Sequence, residues 1–284
     1  MKHAYLILAH NEFEVLSKLI EAIDDDRNDI FIHFDAKVKD LPKIEISFSN
    51  LYVLSNRINV CWGDVSVVEA ELELFKMAMQ VGDYEYFHLL SGVDMPLKSQ
   101  DYIHNFFEKN KGKEFIGYST YDTSAEIERK VKKWHLFSKK FKSNSFIIKI
   151  IRAGFLKAQY LVGYKRNNKI EFKKGTQWVS VTNSFVKYFV VNWGEIKHIY
   201  SHTFCSDEIV FQTLCCNSVF CNNIYDLSDE GKGCLRAIKW KNNIIENWNK
   251  NEIEGLVDSD FLFARKFSYR QLDVVDMILN LLRK

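Results

Sequence analysis

The sequence predicts an α/β fold whose first half alternates strands and helices and whose second half is mixed α+β. Three observations support this. Short apolar runs recur early in the chain, and each ends on a polar residue. Amphipathic stretches separate them. One run, Tyr86 to Leu90, passes straight into a small polar loop, Ser91-Gly92-Val93-Asp94, that ends on a carboxylate.

Ala4 to Ala9 (AYLILA) is apolar at successive positions, as a strand covered on both faces must be, and it ends at His10-Asn11. Glu12 to about Asp24 is helical. Ile30 to Phe34 is a second strand delivering Asp35, and Leu51 to Leu54 a third leading to Arg57. Ser66 to Gln80 places Val68, Leu72, Phe75 and Met79 on one helical stripe, with Ser66 and Glu69 spaced as a capping box. Trp62-Gly63-Asp64, at its start, falls on the Arg57 side. After the fourth strand, Tyr86 to Leu90, Ser91 and Gly92 relax the backbone, and Asp94 stands just past the strand's carboxyl end. Gln100 to Glu108 is a short helix and Glu114 to Tyr118 a strand.

Strands that each present a polar residue at one end, with helices between, make residues 1–118 a Rossmann-like nucleotide-binding half. Neither Gly-x-Gly-x-x-Gly nor a Walker loop is present, which argues against a dinucleotide or a P-loop phosphate site. Taken alone, Asp94 reads first as an Asx-type turn capping its own backbone.

Residues 119–174 form a basic insertion. From Arg129 to Lys174 there are fifteen cations against the single acid Glu171, interleaved with Phe and Ile. Such a mixture suits an anionic membrane surface or a phosphorylated acceptor, and equally a solvated cationic face. Nucleic acid is the weakest reading, because no nucleic-acid motif accompanies the charge. In residues 175–284, Gln177 to Val181, Leu235 to Trp240 and Phe261 to Ala264 read as strands. Asn183 to Asn192, Ser206 to Asn217 and Tyr269 to Leu282 read as helices.

A chain of 284 residues with 47% hydrophobic residues buries a large core, which excludes disorder. No apolar run approaches the roughly 20 residues of a membrane span, and the start is too short in apolar length for a signal peptide. A cytosolic protein is expected. The six cysteines form no Cys-x-x-Cys, so they read as small buried hydrophobes and no structural metal is expected.

Ser206-Asp207-Glu208 opens a predicted helix, where capping alone accounts for both carboxylates; the functional alternative is Glu208 as a general base. Arg265 and Lys266 end an apolar strand. One of these two cations, with Arg236, is placed to neutralise a diphosphate or else to serve as a surface ion-pair partner. Trp178 and Trp240 offer flat faces for a sugar ring, although core is the commoner fate of a strand Trp.

In order along the chain, AYLILAHN, IHFDAK, RINVCWGDVS, YFHLLSGVDMPLKS, GTQWVSVT, SDEIVFQT with Asn217-Ser218, LRAIKW and LFARKF resemble the core-2/I-branching β-1,6-N-acetylglucosaminyltransferase family, which is related to the peptide O-xylosyltransferases. The resemblance runs from Ala4 to Phe267, with its blocks in family order. It implies a single GT-A type domain over residues 1–284 that uses a UDP-sugar as donor substrate, inverts the anomeric centre, and needs neither a cofactor nor a divalent metal. The family's catalytic glutamate falls on Glu208 and its diphosphate-binding cations on Arg236 and Lys266. His10, Asn11, Asp35 and Arg57 fall on the nucleoside side. Asp94, Asp207, Trp178 and Trp240 fall on the sugar and acceptor side.

Three positions depart from the family pattern: Ser206 replaces a proline, Asp64 a glycine and Val93 a glutamine. None removes a charged group, but the loops are open to another sugar. The expectation is a bacterial, cytosolic enzyme of surface-glycan synthesis, at the inner face of the membrane, moving N-acetylglucosamine to a glycan, including a lipid-linked one. Transfer of galactose, glucose or xylose is the alternative, and an inactive glycan- or lipid-carrier-binding scaffold a further one.

Overall fold

The computed structural model describes residues 2–242 and 244–283; residues 1, 243 and 284 lie outside them. The first half contains β1 (His3–Ala9), α1 (Phe13–Ile23), β2 (Asn28–Phe34), β3 (Asn50–Val53), α2 (Ser66–Val81), β4 (Tyr86–Ser91), β5 (Asp94–Pro96), α3 (Gln100–Lys109) and β6 (Phe115–Ile116). The insertion supplies α4 (Ser124–Val131) and α5 (Phe146–Leu161). Then come β7 (Val179–Thr182), α6 (Asn183–Val191), α7 (Trp193–Tyr200), α8 (Val210–Cys216), α9 (Glu230–Cys234), β8 (Arg236–Ile238), β9 (Trp240–Lys241), β10 (Ile244–Ile245), α10 (Ile253–Asp258), β11 (Phe263–Arg265) and α11 (Leu272–Leu282).

A six-stranded sheet runs in the order β3-β2-β1-β4-β7-β6. The first four of these strands are parallel, and β7 is antiparallel to both its neighbours. Side chains of a strand alternate between faces, and the core divides accordingly. Tyr5, Ile7 and Ala9 pack with α1 and α11, whereas Ala4 and Leu6 pack with α2 and α8. The unbroken apolar run of β1 thus serves two cores.

A second sheet, β5-β11-β8, sets Asp94 opposite Arg265 and Phe263 opposite Arg236. Both sheets join strands from residues 1–118 to strands from residues 175–284, so the two halves are interlocked.

Local expectations are corrected at three places. Ser66 does not cap α2; its hydroxyl accepts from the Cys61 amide at 2.9 Å, and Asp64 Oδ1 accepts the Ser66 amide at 3.0 Å. Asp64, two residues upstream, holds the first helical amide instead. The predicted helix at Ser206 is a 3-10 turn over Ser206–Glu208, entered through Cys205 in the left-handed region (φ 50°) and separated from α8 by Ile209. The sixteen-residue α5 has no counterpart in the predicted elements.

Candidate active site

The parallel strands end together. The register pairs Ala9 with Phe34 and Leu8 with Ser91, which brings His10, Asp35 and the Ser91–Asp94 loop to one edge. The Asp35 amide donates to Ala9 O at 2.9 Å, tying the two turns. Asp35 Oδ1 accepts from the Lys37 amide at 2.9 Å, and Oδ2 pairs with Lys37 Nζ at 3.1 Å. Arg57 donates to Val38 O at 2.8 Å. Asp35 and Arg57 therefore shape the 35–38 turn from either side. Desolvation lowers the His10 pKa; Asp35 opposes this, while Lys37 and Lys142 add to it, so the insertion reaches this edge.

Asp94 closes its own loop. Its oxygens accept from the Ser91 hydroxyl at 2.6 Å and the Ser91 amide at 2.9 Å, and Arg265 Nε stands 3.7 Å away. Asp94 is 2% exposed. The Arg265 guanidinium lies 4.2 Å from the centroid of the buried Trp178 ring, so Trp178 is a platform for arginine and not the open sugar-facing plane expected of it. Trp240, on the β9–β10 hairpin, is exposed.

Arg236 is turned inward as well. It is buried, donates to Val179 O and Ser180 Oγ at 2.9 Å each and also to Cys234 O, and stacks on Phe263. Its guanidinium clamps β8 to β7, and burial pulls its pKa down to about 10. Lys266, half-buried, follows β11 where the Phe267 amide donates to Val93 O at 3.0 Å, and it makes no ion pair among the described residues. Of the two cations expected at a diphosphate, Lys266 is the one left available beside the Asp94 loop.

Glu208 is held from two sides. Its main-chain carbonyl accepts from the Gly175 amide at 2.9 Å. Its Oε2 accepts from Lys130 Nζ at 2.5 Å, with Lys174 Nζ at 3.8 Å, while Oε1 has no partner among the described residues. Lys130 also pairs with Glu126 at 3.4 Å. Neither lysine was singled out in the sequence, where they were two cations among fifteen; only the fold brings α4 and residue 174 together beneath Glu208.

The backbone is tightly packed here. A Cβ on Gly175 would lie 1.9 Å from Gly117 O, and one on Gly117 would lie 2.3 Å from Glu230 O. Asp207 Oδ1 is buried without a partner among the described residues, and burial, followed by the Glu208 charge, pushes its carboxyl up to about 7. Asp207 therefore faces inward beside Glu208. Nearby Glu71, wholly buried in α2, accepts from Gln177 Nε2 at 2.6 Å. Burial pushes the Glu71 carboxyl up, Gln177 opposes this, and the Asp207 charge adds to it.

The Cys205 amide donates to Gly63 O at 2.8 Å, linking the Glu208 turn to the start of α2. There Trp62 is exposed, edge-on to Phe204, with Lys142 Nζ 5.0 Å over its ring. Trp62 is a second exposed aromatic surface close to Glu208; its Trp-Gly pair at a helix start was the sequence signal. The basic insertion is thus not one solvated face. Lys130 and Lys174 turn inward to Glu208, Arg166 donates to Ser201 O at 2.8 Å and Ile199 O at 3.0 Å, and Lys133 is buried against Tyr164 O at 2.6 Å. A cavity of about 480 Å³ opens at the opposite, amino edge of the main sheet, between Lys2, Glu85 and Glu114, remote from all these groups.

The chain is similar to several known proteins. The chain is 23% identical to human xylosyltransferase 2 over 297 aligned residues, covering 93% of this chain and 31% of that protein. It is 27% identical to the human beta-1,3-galactosyl-O-glycosyl-glycoprotein beta-1,6-N-acetylglucosaminyltransferase, covering 84% of this chain and 55% of that protein. To the beta-glucuronosyltransferase GlcAT14B of Arabidopsis thaliana it is 25% identical, with 97% and 64% covered. The chain spans about a third to two thirds of the length of these relatives. The fold is α/β with a central, mainly parallel sheet, consistent with a GT-A-like glycosyltransferase fold. The family model of the Core-2/I-Branching enzymes matches residues 3–260, and the chain belongs to that family.

Proposed function

We propose that this protein is a glycosyltransferase that moves a sugar from a UDP-sugar to a hydroxyl of a glycan, by direct displacement with inversion and without a divalent metal. The observation that carries the proposal is Glu208: one carboxylate oxygen is fixed by Lys130 and the other is free at the turn beside the carboxyl edge. Glu208 takes the acceptor proton as the acceptor oxygen attacks the anomeric carbon. Negative charge then builds on the departing diphosphate. Lys266 neutralises it, with the buried Arg236 and Arg265 charges behind Asp94, and a single desolvated donor of this kind supplies about 2.7–4 kcal/mol.

His10, Asn11, Asp35 and Arg57 border the nucleoside, and Trp240 with Trp62 borders the sugar or acceptor. N-acetylglucosamine in β-1,6 linkage is the first donor reading. The relatives' names include xylosyl and glucuronosyl transferases, so glucuronic acid joins galactose, glucose and xylose as an alternative. The acceptor is proposed to belong to a bacterial surface glycan, and the inactive scaffold is the rival of another class.

A screen of UDP-sugars for hydrolysis and transfer, run on the parent and on Glu208→Gln, tests the proposal. The parent turns over one donor. Glu208→Gln binds UDP comparably and loses about a hundredfold or more in transfer, as for a missing general base. Full activity in the variant overturns the base assignment, and UDP binding without turnover of any donor favours the scaffold.

A further inference from the structure

Helix α5 is built inside out. Its inner side is fastened largely by polar side chains: Gln159, buried, exchanges hydrogen bonds with the Trp134 main chain at 2.7 and 2.8 Å, and Arg152 stacks on Phe141 at 4.2 Å. Ile147, Ile150, Ile151, Phe155, Leu161 and Val162 all face solvent, with exposures from 36 to 78%. At 3.6 residues per turn these positions fall on one stripe along a helix about 24 Å long. Water-soluble helices bury such a stripe, and one left bare marks a surface that something covers.

The charges around it indicate what covers it. Lys139 and Lys140, just before the helix, and Lys149 and Lys157, on it, are exposed and make no ion pair among the described residues. No acid lies between Arg129 and Ile170. A second copy of this chain laid on the stripe would bring two such lysine sets together. An anionic bilayer accepts both features at once, apolar side chains in the acyl boundary and ammonium groups among the headgroups.

We propose that α5 lies in the plane of an anionic membrane surface, with the Ile147–Val162 stripe embedded and the lysines flanking it. No helix among the described residues is long and apolar enough to cross a membrane, so this is contact along the surface. The proposal goes beyond the transfer reaction and stands without it, because the test needs no donor.

The test is co-sedimentation of the full chain with phosphatidylcholine vesicles with and without phosphatidylglycerol, at low and high salt, alongside light scattering of the free protein. The triple variant Ile147→Ser, Ile151→Ser, Leu161→Ser changes only exposed side chains, and its melting temperature checks that it folds. Parent binding should require the anionic lipid, fall with salt, and drop about tenfold or more both in the triple variant and in Lys139→Gln, Lys140→Gln, Lys149→Gln, Lys157→Gln. Equal binding by parent and triple variant overturns the proposal. So does equal binding to vesicles lacking phosphatidylglycerol. A dimer that the triple variant abolishes, with no vesicle binding by the parent, assigns the stripe to a second copy and overturns it too.

Discussion

Replacing Lys130 by methionine isolates how Glu208 is held. Lys130 is 5% exposed, with its ammonium 2.5 Å from Glu208 and 3.4 Å from Glu126. Methionine keeps an apolar stem of similar reach and deletes the charge. Removing one partner of a fully buried pair costs about 3–5 kcal/mol. Here the two glutamates retain 35% and 37% side-chain exposure, and Lys174 still stands 3.8 and 3.7 Å from them. Water and the second lysine screen the change, which lowers the expected loss to about 1–2 kcal/mol. Urea unfolding of the parent, Lys130→Met, Glu208→Gln and the double variant closes a double-mutant cycle. Glu208→Gln alone should cost little, and the pair should couple by about 1 kcal/mol, because the lysine has less to hold once the carboxylate is gone. In transfer assays Lys130→Met should lower kcat more than it raises KM, since donor contacts are untouched and only the free oxygen's aim is lost. Strict additivity, together with unchanged kcat, would refute the view that Lys130 positions the base.

Gly175→Ala should destabilise the fold by about 1–3 kcal/mol or more and reduce transfer, because the new methyl meets main-chain oxygen 1.9 Å away beside the amide that holds Glu208; a variant with parental melting temperature and activity contradicts this. Asp207 has its folded pKa raised to about 7 from an ordinary value of 3.8, so its contribution to stability is present below about pH 4 and is lost as pH rises through 7. Asp207→Asn should therefore gain stability relative to the parent between pH 5 and pH 8, as read by melting temperature, and a difference that does not change with pH counts against the buried carboxyl. Transfer should survive EDTA, because Asp94, the one carboxylate at the end of β4, already spends its oxygens on Ser91 and Arg265, whereas a hard cation wants several oxygens; loss on chelation with rescue by manganese would show that a metal serves the diphosphate.

The amino-terminal fold was legible because its signals are local. A parallel strand buried on both faces is mainly apolar, and the runs at Ala4, Ile30 and Tyr86 show it, with His33 and His88 buried among them, as does the stripe of α2. Glu208 was singled out from its motif. Its lysines were not, since pairing across 78 residues leaves no trace in spacing. Arg236 and Trp178 were read as ligand-facing because an Arg or a Trp in a strand carries no mark of which side of a layer it faces; Arg236, in β8, is held against β7, and Trp178, just before β7, lies under the Arg265 guanidinium. The α5 stripe was visible as letters, but an apolar stripe ordinarily signals core, and only the polar fastening at Gln159 reverses that.

The placement of β7 between β4 and β6 has a consequence for how the chain is made. On a ribosome, β4 emerges with one flank on β1 and the other bare, a row of unpaired amides and carbonyls on a mostly apolar strand. β6 cannot cover that flank, because it pairs only with β7. At about 5–20 residues per second, the roughly ninety residues between Ser91 and Val179 leave the edge open for about 4–18 seconds. The highly charged insertion is the stretch synthesised during that interval, and its like charges hold nascent chains apart while the edge waits. A fragment ending at residue 118 should therefore aggregate where one extended to residue 191 does not, and a soluble monomeric short fragment in light scattering would show that the open edge is harmless.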